Sequence, residues 1–234
     1  MVTKLSSIKT IAIIPARGGS KRLPNKNIQL LGEIPLIAHS ILYAQKHDFI
    51  SAVYVSTDDE AIKKVAKQYG ALVIDRPAVL SGDLEPTVSA LKHVLENIEE
   101  VDDVILLQAT NPLRPEKMLA DAFQIFKDKN CDSLFTVSQN HQKLGKINNN
   151  TFKPYNYTVG QRSQDLEPLY FENGLLYISK AELILKDIIF DQAGFPFEVN
   201  HIFASVDIDT QEDFEYATYL FTKRREECLG KGNS

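Results

Sequence analysis

Residues 10–27, TIAIIPARGGSKRLPNKN, constrain this chain more than any other stretch. An apolar run at 11–14 stops at Pro15 and gives way to a loop with two glycines, two arginines, two lysines and two asparagines. A buried strand that empties into a basic, glycine-bearing loop is a phosphate site in outline. Gly18 and Gly19 let backbone approach an anion closely. Arg17, Lys21, Arg22 and Lys26 bring countercharge. The whole chain has a net charge of −5, so the positive patch is local. The loop contains neither the G-x-x-x-x-G-K-[ST] string of a P-loop nor the G-x-G-x-x-G of a dinucleotide fingerprint. A merely solubilising loop is the plainer reading. Its place after the first strand of an α/β pattern argues against that, because such sheets bind ligands at the carboxyl ends of their strands.

Strand-like and helix-like patterns alternate along the chain. Strands are predicted at 11–14, 52–56, 71–74, 104–107, 133–137, 174–178 and 201–206. Apolar stripes at helical spacing begin at Ile37, Ile62, Val88 and Met118, and Gly70 is placed to cap the second. A last helix is predicted from Thr210, where Thr210-Gln211-Glu212-Asp213 resembles a capping box, with a frayed tail from 226. This order predicts the α/β class: a mostly parallel, Rossmann-like sheet covered by helices. The pattern fails between 139 and 169, which is polar and interrupted by Pro154, Gly160 and Pro168. A structureless loop of that length is uncommon in a compact domain, so an insertion that acts as a lid or packs on something else is expected.

Composition narrows the function classes. With 26 basic residues against 31 acidic, nucleic acid is not an expected partner. Cys131 and Cys228 form no CxxC pair, so neither a zinc site nor a disulfide framework is predicted, and a reducing cytoplasm is the expected compartment. No run is long enough for a membrane span, and 11–14 is too short for a signal-peptide core. The five histidines show no metal-ligand spacing. Asp207 and Asp209 are two apart, so both carboxylates can face one side of an extended segment. Magnesium favours one or two carboxylates plus waters and phosphates. Gln108 follows an apolar strand and can both give and accept hydrogen bonds at a sheet edge. Arg76 holds a similar place, though pairing with a nearby acid is its plainer role.

AIIPARGGSKRLPNKN resembles the signature loop of the acylneuraminate cytidylyltransferases. Val55-Ser56-Thr57-Asp58, Arg76-Pro77, LLQATNPLR at 106–114, Asn173-Gly174 and Asp207-Ile208-Asp209 follow in family order, covering roughly residues 10–220. The resemblance implies a nucleotidyltransferase-type fold in a single cytidylyltransferase domain over 1–234. It implies transfer of CMP from CTP to the anomeric hydroxyl of a nonulosonic acid of sialic, legionaminic or pseudaminic type, with pyrophosphate leaving. Arg17, Lys21, Lys26 and Asp209 are the implied catalytic set. Gly18, Asn27, Arg76 and Thr87 join Arg17 and Lys26 on the nucleotide, and Asp207 and Asp209 hold Mg2+. Gln108 and Asn173 are implied for the sugar acid, with Arg114, Lys146 and Arg162 as candidate cations for its carboxylate. The resemblance also implies a homodimer, in which the 139–169 insertion caps the partner's substrate. Phe171-Glu172 stands where many bacterial members have Arg-Pro, which leaves the identity of the sugar acid open. The alternatives are activation of a 3-deoxy-octulosonate by CTP, or a nucleotide-binding regulatory module without transferase activity.

Overall fold

The computed structural model describes residues 9–230, with side chains described through Arg224. β1 (Thr10–Pro15) is buried on both faces: Ile11 and Ile13 pack one way, Ala12 and Ile14 the other. That double burial is why the run reads as continuously apolar rather than alternating. The chain continues through a ribbon of β2 (Leu30–Leu31) and β3 (Ile34–Pro35), α1 (Leu36–Gln45), β4 (Ala52–Thr57), α2 (Glu60–Gln68), β5 (Leu72–Asp75) and α3 (Thr87–Glu96). Then come β6 (Asp103–Leu106), α4 (Met118–Asp128), β7 (Ser133–Asn140) and a hairpin of β8 (Gly145–Asn148) and β9 (Thr151–Pro154). β10 (Leu169–Lys180), α5 (Ala181–Leu185), β11 (Phe195–Glu198) and α6 (Gln211–Gly230) complete it.

Seven strands form one sheet in the order β11-β7-β10-β6-β1-β4-β5. All run parallel except β10, which lies antiparallel between β6 and β7. From β1 the chain builds outward to β4 and β5, then returns to place β6 on the other flank. β1 and β6 therefore make the topological switch point, and the loops leaving β1, β4, β5 and β6 converge on one edge. Ile37, Ile41, Ile62, Leu119 and Phe126 cover one face from α1, α2 and α4. Leu91, Val94, Leu95 and Ile184 cover the other from α3 and α5. Burying each such side chain stabilises the fold by about 1.5–3 kcal/mol.

Local signals behave as their chemistry dictates. Asp59 caps α2 by accepting the Ile62 amide at 2.9 Å. Gly70 closes that helix at φ +80°, with Ala71 N–H on the Ala66 carbonyl at 3.0 Å and Gly70 N–H on Lys67 at 3.1 Å. At α6 the capping box is reciprocal: Thr210 Oγ1 accepts the Asp213 amide at 3.3 Å, and Asp213 Oδ2 accepts the Thr210 amide at 2.8 Å.

The structure corrects two expectations. Residues 201–206 are not a strand but hold a 3-10 turn, Ile202–Ser205. The turn is closed locally, with Ala204 N–H on the His201 carbonyl at 2.9 Å and His201 Nδ1 accepting the Phe203 amide at 3.1 Å. The helix expected to fray from 226 runs on to Gly230; residues 231–234 lie outside the described residues. Segment 139–169 carries structure of its own, as an insertion would: the end of β7, the β8–β9 hairpin, a 3-10 turn at Ser163–Asp165 and the start of β10. The hairpin forms its own two-stranded sheet and leaves Ile147, Phe152 and Tyr155 exposed at 74%, 50% and 67%. Among the described residues no helix is long and apolar enough to cross a membrane.

Candidate active site

The loop after β1 is shaped by its neighbours. Gly18 donates its amide to Asp58 Oδ1 at 3.0 Å, and a Cβ there would lie 2.6 Å from Asp59 Oδ2, so no side chain fits. Asn27 donates from Nδ2 to the Arg17 carbonyl at 3.0 Å and so closes the loop on itself. Lys26 is buried, and its ammonium reaches the Ile208 carbonyl at 2.7 Å and Asp209 Oδ1 at 2.8 Å.

Asp207 and Asp209 flank Ile208, which is fully buried, while Asp207 is exposed and Asp209 half-buried. The segment is tied to the loop after β6 by Ile208 N–H on the Thr110 carbonyl at 2.9 Å and Asn111 Nδ2 on the Val206 carbonyl at 2.7 Å. Desolvation of its carboxyl end, with the neighbouring Asp209 charge, pushes the Asp207 pKa up even though part of the residue meets solvent. Two crowded carboxylates are a donor set for a hard cation. Among the described residues no cluster of three or more His, Cys, Asp or Glu offers a complete cage, so such a cation would draw its other ligands from substrate and water.

A cavity of about 510 Å³ opens at the carboxyl edge of the sheet. Arg17, Lys21, Arg22, Lys26, Asn27, Arg76, Thr87, Gln108 and Asp209 all line it, drawn from the loops after β1, β5 and β6 and from the segment before α6. Arg76 is held by Ser56, with Nε on Oγ at 3.0 Å and Nη2 on the carbonyl at 2.5 Å, so the pairing with an acid considered above is replaced. Burial lowers the Arg76 pKa, and the nearby Arg17 charge adds to that. Asp83, which the sequence did not single out, reaches across the mouth to Arg17 at 2.5 Å and also to Lys21. Hydrogen bonds from Lys21 and Arg17 hold its carboxyl below the usual range. On the opposite rim Asp209 Oδ2 pairs with Arg22 at 2.5 Å. The cationic cradle is thus neutralised by Asp83 and Asp209, partners a triphosphate could replace.

A second cavity, about 420 Å³, shares the wall of Pro86, Thr87 and Gln108 with the first. Tyr177, Ile189 and Phe190 line its apolar side, and the Tyr177 hydroxyl donates to Glu172. Tyr177, Ile189 and Phe190 carried no motif that sequence reasoning could have used.

Four predicted sugar-acid contacts lie outside both cavities. Arg114, expected to meet a carboxylate, is buried and donates to the Leu175 and Gln108 carbonyls and to Ser40 Oγ. Asn173 is also inside the protein: Oδ1 accepts from Thr136 Oγ1 at 2.6 Å and from Leu175 N–H at 3.1 Å, and Nδ2 donates to Ser138 Oγ at 2.9 Å. The polar atoms of both are engaged within the fold. Lys146 sits on the exposed hairpin over the Tyr155 ring, and Arg162 pairs with Asp165 at 2.7 Å. Asp207, unlike Asp209, does not line the first cavity.

The family model described as cytidylyltransferase matches residues 11–231. The chain belongs to the cytidylyltransferase family. Among curated members, the CMP-N,N'-diacetyllegionaminic acid synthase of Legionella pneumophila is 35% identical over 94% of this chain and 99% of its own length. The pseudaminic acid cytidylyltransferase of Campylobacter jejuni is 33% identical over 95% and 100%. The N-acylneuraminate cytidylyltransferase of Streptococcus agalactiae is 33% identical over 88% of this chain, which spans only 52% of that relative's length. A solved CMP:2-keto-3-deoxy-manno-octonic acid synthetase complexed with CTP superposes with a TM-score of 0.70 at 18% identity, covering 92% of this chain and 99% of that one. The family fold is therefore that of a nucleotidyltransferase.

Proposed function

We propose that this protein transfers CMP from CTP to the anomeric hydroxyl of a nonulosonic acid, releasing pyrophosphate. The observation that carries the reading is the pair of cavities joined at Pro86, Thr87 and Gln108: one basic, the other walled by Tyr177, Ile189 and Phe190. The first suits a nucleoside triphosphate and the second an amidated sugar with apolar N-acyl groups. Arg17, Lys21 and Lys26 would exchange Asp83 and Asp209 for phosphate oxygens, while Arg76 and Thr87 meet the nucleoside. Holding the sugar hydroxyl in line with the α-phosphate, and countering charge on the leaving pyrophosphate, is the protein's share of catalysis. Asp207 and Asp209 would hold magnesium, which when bound supplies charge neutralisation at the phosphates. The names of the Legionella, Campylobacter and Streptococcus relatives support a substrate of this class.

The protein is proposed to work as a homodimer in the cytoplasm. The hairpin's exposed Ile147, Phe152 and Tyr155 would bury against a second copy, bringing Lys146 and Arg162 to the partner's sugar carboxylate. Cys131 is a free thiol, which suits a reducing compartment. The test incubates the protein with CTP, magnesium and, separately, sialic, legionaminic, pseudaminic and octulosonic acids, and measures pyrophosphate. Release with a nonulosonic acid is expected. Release with the octulosonate alone would transfer the reading to that sugar, and release with none would remove it.

A further inference from the structure

Among the described residues, the buried Arg114 cation hydrogen-bonds to no carboxylate, and its three guanidinium nitrogens are engaged on three separate segments. Nη2 donates to the Gln108 carbonyl at 2.8 Å, Nη1 to Ser40 Oγ on α1 at 2.9 Å, and Nε to the Leu175 carbonyl on β10 at 2.8 Å. Ser40 Oγ in turn donates to the same Gln108 carbonyl at 3.2 Å, closing the network. A guanidinium taken out of water without a counter-charge costs free energy, so bulk stability is a poor reason for it. Desolvation pulls its pKa down to about 10.

What the three segments share is Gln108. Its backbone is held from behind by Arg114. Its side chain meets the β10 turn: a Cβ on Gly174 would lie 3.2 Å from Gln108 Nε2, and Gly174 adopts φ +73°, which suits glycine. Arg114 fixes Leu175, the residue after that glycine. One planar fork therefore sets both the peptide that carries Gln108 and the backbone against which the Gln108 amide rests. Gln108 lines both cavities.

We propose that Arg114 is a positioning residue: it sets the Gln108 amide at the junction between the nucleotide cavity and the sugar cavity, and so aligns the two substrates without touching either. The proposal rests on the functional reading above. Lysine cannot replace it, because a single ammonium does not span three acceptors held in a planar fork.

The experiment compares Arg114→Lys, Gln108→Ala and the double variant with wild type. Arg114→Lys should lower kcat/KM for the sugar acid at least about ten-fold, since small misplacements near the chemistry can cost up to 10². KM for CTP should stay within about two-fold. In the Gln108→Ala background the same lysine change should cost less than about two-fold, the non-additivity of residues that act through each other. Equal losses in both backgrounds, or a rise in KM for CTP well beyond two-fold, would overturn the proposal. A readout free of activity separates its fate from that of the proposed reaction: the NMR signals of the Gln108 side-chain amide. These should shift in Arg114→Lys while the other glutamine side chains stay in place, even if the wild type releases no pyrophosphate with any sugar acid. Unmoved Gln108 signals in the folded variant would refute the positioning role.

Discussion

Replacing Lys26 by methionine keeps the buried aliphatic stem and removes only the ammonium. The structure allows the two consequences to be estimated separately. The Ile208 carbonyl, 2.7 Å away, loses a charge-assisted donor, a contact of about 1.5–3 kcal/mol. Asp209 loses one partner at 2.8 Å but keeps Arg22 at 2.5 Å, and with its side chain 40% exposed that pair adds at most about 1 kcal/mol. Relief of the buried charge offsets part of this, leaving a net loss of about 1–3 kcal/mol. For a domain of this size each kcal/mol moves Tm by about 2–4 °C, so the melting point should fall by about 2–12 °C. Turnover should fall by about 10²–10³, the loss seen when one preorganised contact to a developing anion is removed. Thermal denaturation and steady-state pyrophosphate release, both on the purified variant well below its Tm, measure the two terms. Unchanged turnover with the predicted Tm loss would make Lys26 a structural lysine and refute its place on the phosphates.

Changing Asp207 and Asp209 together to asparagine should leave the protein folded and abolish magnesium-dependent turnover, checked by circular dichroism and a magnesium titration; wild-type turnover at limiting magnesium would remove the metal assignment. Replacing residues 139–169 with a Gly-Ser link should yield a monomer with impaired activity by light scattering and kinetics, and a dimer of full activity would rule out both roles of the insertion. Burial lowers the pKa of His39, His47 and His201 below the usual 6.5. The unfolded chain therefore takes up protons before the folded one, and the stability they contribute is complete above about pH 6.5 and shrinks as pH falls towards the depressed folded values. Melting curves from pH 7.5 to 5 should show this decline, and His39→Gln should flatten it; an unchanged slope would contradict the burial argument.

The parts of the fold that sequence made legible are those whose signal is local. β1 and its loop could be read because a doubly buried strand has no polar alternation, and α2 and α6 because Gly70, Thr210 and Asp213 are local caps. β11 was not legible because Pro196 argues against a strand, yet it lies at the sheet's edge, where a missing N–H is tolerated. The 3-10 turn after His201 was read as a strand because its apolar run matched one by composition, while its burial is set by tertiary packing: Phe203 joins the cluster that holds Leu23 and Leu31, and Ala204 joins the main core. In the site, cations near the glycine loop were identifiable by charge and position. Asp83 was not, because its partner Arg17 lies 66 residues away. Arg114 illustrates the opposite case: an arginine in a motif reads as a ligand contact, and only the fold reveals that its donors reach two backbone carbonyls and Ser40 Oγ.

The most direct test of the central claim follows the α-phosphate. CTP labelled at that position is incubated with magnesium, the protein and the nonulosonic acid that releases pyrophosphate fastest. The account predicts that the label moves into a CMP-sugar in one-to-one ratio with pyrophosphate, and that Lys26→Met slows both equally. Label that remains in CTP, or that appears only as free CMP without a sugar conjugate, would contradict it.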